Sequence, residues 1–117
     1  MEQVLSPEIA LERGGDSLTL RLKGAVGIMC ASELHAAARA LADERGPVAI
    51  DAAAVEHLDC AAAQILVALQ DALAQTGRTA PVGNLGEAPR RYVGIAGLAA
   101  PLGIPFVPIV EDGTGLP

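Results

Sequence analysis

Residues 48–77 read VAIDAAAVEHLDCAAAQILVALQDALAQTG, and this stretch decides the fold. Val48-Ala49-Ile50-Asp51 is a short apolar run closed by a carboxylate, which is the pattern of a buried strand. After a loop, Ala61 to Gln75 carries Ile65, Leu66, Leu69 and Leu73 at helical spacing, so one stripe of the helix faces a core. Gly77 stands where a helix C-cap belongs. A strand leading into a helix and back to a strand is a crossover unit. Such units join parallel strands and are right-handed.

Working outward, apolar Ile9 and Leu11 precede the turn signature Arg13-Gly14-Gly15-Asp16. Ser17 to Lys23 then alternates strictly, with Leu18, Leu20 and Leu22 on one face. This predicts a β-hairpin with one buried face, ended by Gly24. Cys30 to Arg45 reads as a helix burying Leu34, Ala37, Ala38, Leu41 and Ala42, stopped by Gly46-Pro47. Beyond the central stretch, Ala80 to Leu85 is a weak strand, and Pro81 suits an edge because it lacks a donor. Pro89 fits the first turn of a third helix running to about Ala99. Phe106 to Val110 reads as a last strand or tail, and Glu111 to Pro117 as a frayed terminus. The expected order is β-β-α-β-α-β-α. The expected fold is one α/β domain over residues 1–117, with its core over about 8–105. Its sheet is mixed, four- to five-stranded, and its helices pack mainly on one face.

Composition narrows the function. Hydrophobic residues make up 51% of the 117, enough for a core without metals or disulfides, and aromatics only 2%. The net charge is −6, Lys23 is the single lysine, and Arg90-Arg91 is the one adjacent basic pair. Nucleic-acid binding, which needs clustered cations, is therefore not expected. Cys30 and Cys60 are too few for a disulfide framework, and no CxxC, HxxxH or HExxH spacing accompanies them, so neither a metal nor a cofactor is expected. No apolar run approaches the ~20 residues that span a bilayer. Met1-Glu2-Gln3 does not open a signal peptide, so the expected location is cytoplasmic.

Three stretches resemble the STAS domain family, the group that includes the bacterial anti-sigma-factor antagonists. The first is Leu18 to Gly24 followed by Ala31-Ser32-Glu33-Leu34, similar to the family's strand, glycine, short loop and first helix. The second is Val48-Ala49-Ile50-Asp51, Val55 and Leu58-Asp59-Cys60-Ala61-Ala62, similar to its strand-Asp, spacer and Asp-Ser/Thr-Ser/Ala-Gly signature. The third is Ala96-Gly97-Leu98 with Leu102-Gly103-Ile104, similar to its closing helix. The resemblance implies a non-enzymatic regulatory module in signal transduction that works by protein–protein interaction. In many members the signature Ser or Thr is phosphorylated by a partner kinase, which releases the partner. A helix N-terminus offers unpaired N–H groups and partial positive charge at that point.

This chain departs from that pattern. The phosphoacceptor position is Cys60, which a Ser/Thr kinase cannot modify, and Ala61 and Ala62 follow it. Gly27 stands where many phosphorylated members carry an acid in the loop after the first strand. Asp51 and Asp59 are kept. The resemblance thus implies a docking surface without the usual phosphoswitch, made of the Asp59–Ala62 loop, the exposed side of the second helix and the Gly24–Cys30 loop, with Gly27, Asp59, Cys60, Ala61, Ala62 and Gln64 as its contact residues. Implied partners are a histidine-kinase-like ATPase, a chemotaxis-type complex or an ABC transporter ATPase. The alanine-rich form of the loop resembles a subgroup associated with chemotaxis-type arrays or lipid-transport ABC complexes. From the residues themselves, Asp59 reads as the cap of the second helix and Asp51 as an acceptor at a strand end. His35 and His57 read as solvated, so no nucleophile–base pair for an enzyme is found. Gln64 suits either a partner contact or the wet edge of its helix. A Cys30–Cys60 disulfide requires their loops to meet, and a reducing cytosol opposes it. The alternative from another class is a small-molecule or nucleotide sensor at the carboxyl ends of the parallel strands.

Overall fold

The computed structural model describes residues 1–104. Its elements are β1 (Glu2–Ser6), β2 (Ile9–Gly14), β3 (Ser17–Val26), a 3₁₀ turn (Ile28–Cys30), α1 (Ala31–Asp43), β4 (Val48–Leu58), α2 (Cys60–Ala74), β5 (Val82–Gly83) and α3 (Glu87–Ile95). The five strands lie in sequence order across one sheet. β1–β2 and β2–β3 are antiparallel, whereas β3–β4 and β4–β5 are parallel. The mixed α/β sheet expected from the sequence is therefore present, with five strands. The stretch Phe106–Val110 lies outside the described residues.

One apolar face of the sheet meets the helices. Leu18, Leu20 and Leu22 of β3 join Ile50 and Ala52 of β4 in a single core with Leu34 and Leu41 of α1 and Leu66 and Leu73 of α2. The intervening residues of the strands point to the other face. There Arg21 donates to Glu12 at 2.5 Å and to Asp51, its direct cross-strand neighbour, at 2.7 Å. α1 and α2 end differently. Gly77 adopts φ +72° after α2, and the Arg78 N–H bonds the Leu73 carbonyl at 3.0 Å. α1 has no cation in its own last turn. Arg78 supplies one from across the fold, donating Nη2 to the Ala42 carbonyl at 2.8 Å and Nη1 to the Glu44 carbonyl. That contact satisfies orphan carbonyls and opposes the negative end of the helix.

Five elements differ from the sequence reading. α3 ends at Ile95, not near Ala99, so the Ala96–Ile104 stretch likened to a closing helix follows it in turns, and β5 is only Val82–Gly83. β1 precedes the expected hairpin; it is an edge strand with Val4 65% exposed, so it carries no buried alternation to detect. β3 does not end at Gly24 but runs to Val26. β4 does not stop at Asp51 and yield to a loop; it continues to Leu58. The register explains the last difference. Arg21 pairs with Asp51 but Lys23 with Ala54, and Gly24 pairs with Val55 but Ala25 with His57. Each shift inserts one extra residue in β4, so its buried positions fall at Ile50, Ala52, Val55 and Leu58. Two bulges turn a period of 2 into an irregular one. Asp51 is accordingly mid-strand, not at a strand end. Its Oδ1 accepts the Ala53 N–H at 3.0 Å across the first bulge.

Candidate functional site

The second bulge delivers the chain to Asp59, the residue between β4 and α2. Its N–H bonds the Val26 carbonyl at 3.1 Å, fixing it beside the end of β3. The side chain then makes two bonds in two directions. Oδ1 accepts the Ala62 N–H at 3.0 Å, capping α2, and Oδ2 accepts the Ile28 N–H at 3.0 Å in the 3₁₀ turn. One carboxylate thus ties the turn before α1 to the start of α2. The bonds from the backbone N–H groups of Ala62 and Ile28, with Ala61 and the His57 charge adding to them, hold the Asp59 carboxyl below the usual carboxylate range.

Gly27 is part of the same contact. A Cβ built there would lie 2.7 Å from Asp59 Cγ and closer still to Oδ2. No side chain fits at position 27 while Asp59 reaches Ile28. An acid at this position would meet the Asp59 carboxylate both sterically and as a like charge. The glycine and the bridging aspartate therefore imply each other.

The remaining residues expected at the site separate into two groups. Cys60 is exposed at the first helical position, Gln64 is exposed one turn on, and Ala61 is half-buried. Ala62 is different. Its side chain is 0% exposed, so it belongs to the core and reaches the site only through the N–H that Asp59 accepts. Cys30 and Cys60 are both free thiols, one buried and one exposed, and no disulfide joins them. His35 and His57 are exposed, and the His57 ring meets that of Tyr92 of α3 at a tilt of 48°, with ring centroids 6.0 Å apart. Asp51 lies apart on the other face of the sheet. Its bonds from Ala53, Asn84 and Arg21 hold its carboxyl below the ordinary range. Among the described residues no cluster of His, Cys, Asp and Glu has the makings of a metal site. No helix among them is long and apolar enough to cross a membrane.

The Gly24–Cys30 loop expected on the docking surface carries Ile28 and Met29, which the sequence reading does not single out and which stand 70% and 95% exposed on the 3₁₀ turn. Two consecutive large apolar residues just after a glycine were the available signal.

A family model described as "Mlab, STAS domain" matches residues 9–108. The chain belongs to the STAS domain family. The match spans every element from β2 to α3, so the Asp59 junction lies within the STAS domain. STAS domains are in general regulatory or interaction modules, not enzymes. Comparison with curated proteins finds no match.

Proposed function

We propose that this STAS domain is a cytoplasmic regulatory module that docks on a partner protein through the end where α2 begins. We further propose that it is not switched by phosphorylation at the usual position. The observation that carries the reading is the pair of hydrogen bonds that the Asp59 carboxylate accepts from the Ile28 and Ala62 N–H groups, which organises the turn and the helix start as one surface. Cys60 sits at the exposed first position of that helix and cannot take phosphate from a Ser/Thr kinase. A surface held in one arrangement by backbone donors is suited to competition for binding, since little ordering remains to be done on contact.

The supporting contact residues are Gly27, Asp59, Cys60, Ala61 and Gln64, with Ala62 acting through its N–H. The partner classes that suit such a module are a histidine-kinase-like ATPase, a chemotaxis-type complex and an ABC transporter ATPase. The test is affinity purification of the tagged chain from its native cytosol beside a Cys60→Arg variant. Because Cys60 is exposed, that variant keeps the core. An ATPase or chemotaxis component retained by the wild type and lost by the variant is the expected result. A partner held equally by both would place the docking surface elsewhere. Absence of any partner, with a thermal shift in the presence of nucleotides, would favour ligand sensing instead.

A further inference from the structure

The 3₁₀ turn presents Ile28 and Met29 to solvent, yet it is held from both sides. The Ile28 N–H is bonded to Asp59 Oδ2 at 3.0 Å, and the Cys30 N–H to the Gly27 carbonyl at 3.0 Å. Cys30 itself is buried, 4% exposed, so the turn is pinned to the core while its two preceding side chains project. Adjacent large apolar side chains on an ordered turn are a mark of an interaction site, unlike single exposed apolar residues, which are ordinary.

The charges around the turn say what kind of surface it meets. The two segments that build this end, residues 23–35 and 54–66, contain Glu33, Glu56 and Asp59 against one cation, Lys23, which lies opposite Ala54. At the opposite ends of the helices, Arg13 pairs with Glu44 at 2.8 Å and Arg78 binds the last carbonyls of α1. α3, which reaches this end through Tyr92 on His57, carries Arg90 and Arg91, and Arg91 is paired with Glu87 at 2.9 Å. The turn is thus an apolar tip in an acidic setting.

We propose that Ile28 and Met29 are the anchors of the docking surface, and that they enter an apolar pocket on a partner protein whose rim is rich in arginine and lysine. The proposal rests on the docking reading above and adds the anchor residues and the partner's chemistry. A second copy of this chain does not fit, because a two-fold contact would set the same three carboxylates against themselves. An anionic lipid surface is disfavoured by the same charges.

The chain has two methionines, Met1 and Met29, so a photoreactive methionine analogue reports from only two places. The analogue is incorporated into the full chain in its native cells, and the irradiated adducts are mapped by mass spectrometry. Met1 serves as the background position. The expected result is Met29 adducts on a partner segment flanked by Lys or Arg. Their yield should fall several-fold when salt is raised from about 50 to about 500 mM in the extract before irradiation. It should fall by about tenfold in Ile28→Ser, which loses only an exposed side chain. Adducts joining Met29 to a second copy, or insensitivity to both salt and Ile28→Ser, would overturn the proposal. So would co-flotation of the chain with vesicles of equal phosphatidylcholine and phosphatidylglycerol that Ile28→Ser abolishes. A partner lost on Cys60→Arg but giving no Met29 adduct would overturn the anchors and leave the docking reading standing. A partner retained by Cys60→Arg and giving no Met29 adduct would overturn both.

Discussion

Asp59 does with one carboxylate what two separate residues usually do, capping a helix and holding a neighbouring turn. Replacing an N-cap aspartate by alanine costs about 1 kcal/mol, and loss of the second bond, to the solvent-facing Ile28 N–H, adds about 0.5 kcal/mol. Asp59→Ala should therefore lower unfolding stability by about 1.5 kcal/mol in urea titration. Gly27→Ala should destabilise too, because its Cβ meets the Asp59 carboxylate. Once Asp59 is alanine that collision is gone. The double variant should be more stable than the sum of the single losses requires, and simple additivity would refute the contact. The pH dependence has a defined sign. Asp59 and Asp51 both titrate below the ordinary carboxylate value in the folded chain. Their contribution is full above the unfolded value of about 3.9 and is lost as pH falls through the folded values. Melting temperature should be insensitive to these two groups between about pH 5 and 8 and should fall below about pH 4. Asp59→Asn should flatten that acid limb.

Among the elements, α1 depends on a residue outside itself. Arg78 bonds the carbonyls of Ala42 and Glu44, and Gly46 at 3.5 Å, from the loop after α2. A hydrogen bond to a charged group is worth about 1.5–3 kcal/mol, so Arg78→Met should cost about 2 kcal/mol and fray the end of α1 in hydrogen exchange. Lysine should restore only part, since one ammonium cannot reproduce the planar fork. This contact was not legible in the sequence, because it joins residues more than thirty positions apart. The first two helices and the hairpin were legible, since Leu34 to Leu41, Leu66 to Leu73 and Leu18 to Leu22 keep the periods of helix and strand, whereas α3, broken by Gly94 and Gly97, ends at Ile95. β4 was only half legible. Its bulges place buried residues at 50, 52, 55 and 58, and no single period fits that series. β1 was invisible for another reason, being short and at the edge with its side chains largely in water. The site divides likewise. The cap role of Asp59 followed from its place before an apolar helix, but its second bond and the burial of Ala62 required the register of β4 against β3.

At the scale of the whole molecule, two faces of the structure have different tasks. The helix-side face of the sheet forms one apolar core, while the opposite face is knitted by ion pairs of Arg21 with Glu12 and Asp51. The end that carries Asp59 is neither. There the chain places an exposed thiol, two exposed apolar side chains and three carboxylates on backbone that is bonded in place. That division is the basis for proposing the docking role at this end of the STAS domain and not at its sheet face. The most direct test is amide hydrogen exchange of the chain alone and bound to the partner purified with it. Protection on binding is predicted over residues 27–33 and 59–65, with the exchange of β1 and β2 unchanged. Protection confined to β1, β2 and the ion-paired face, with the Asp59 end unaltered, would contradict the account.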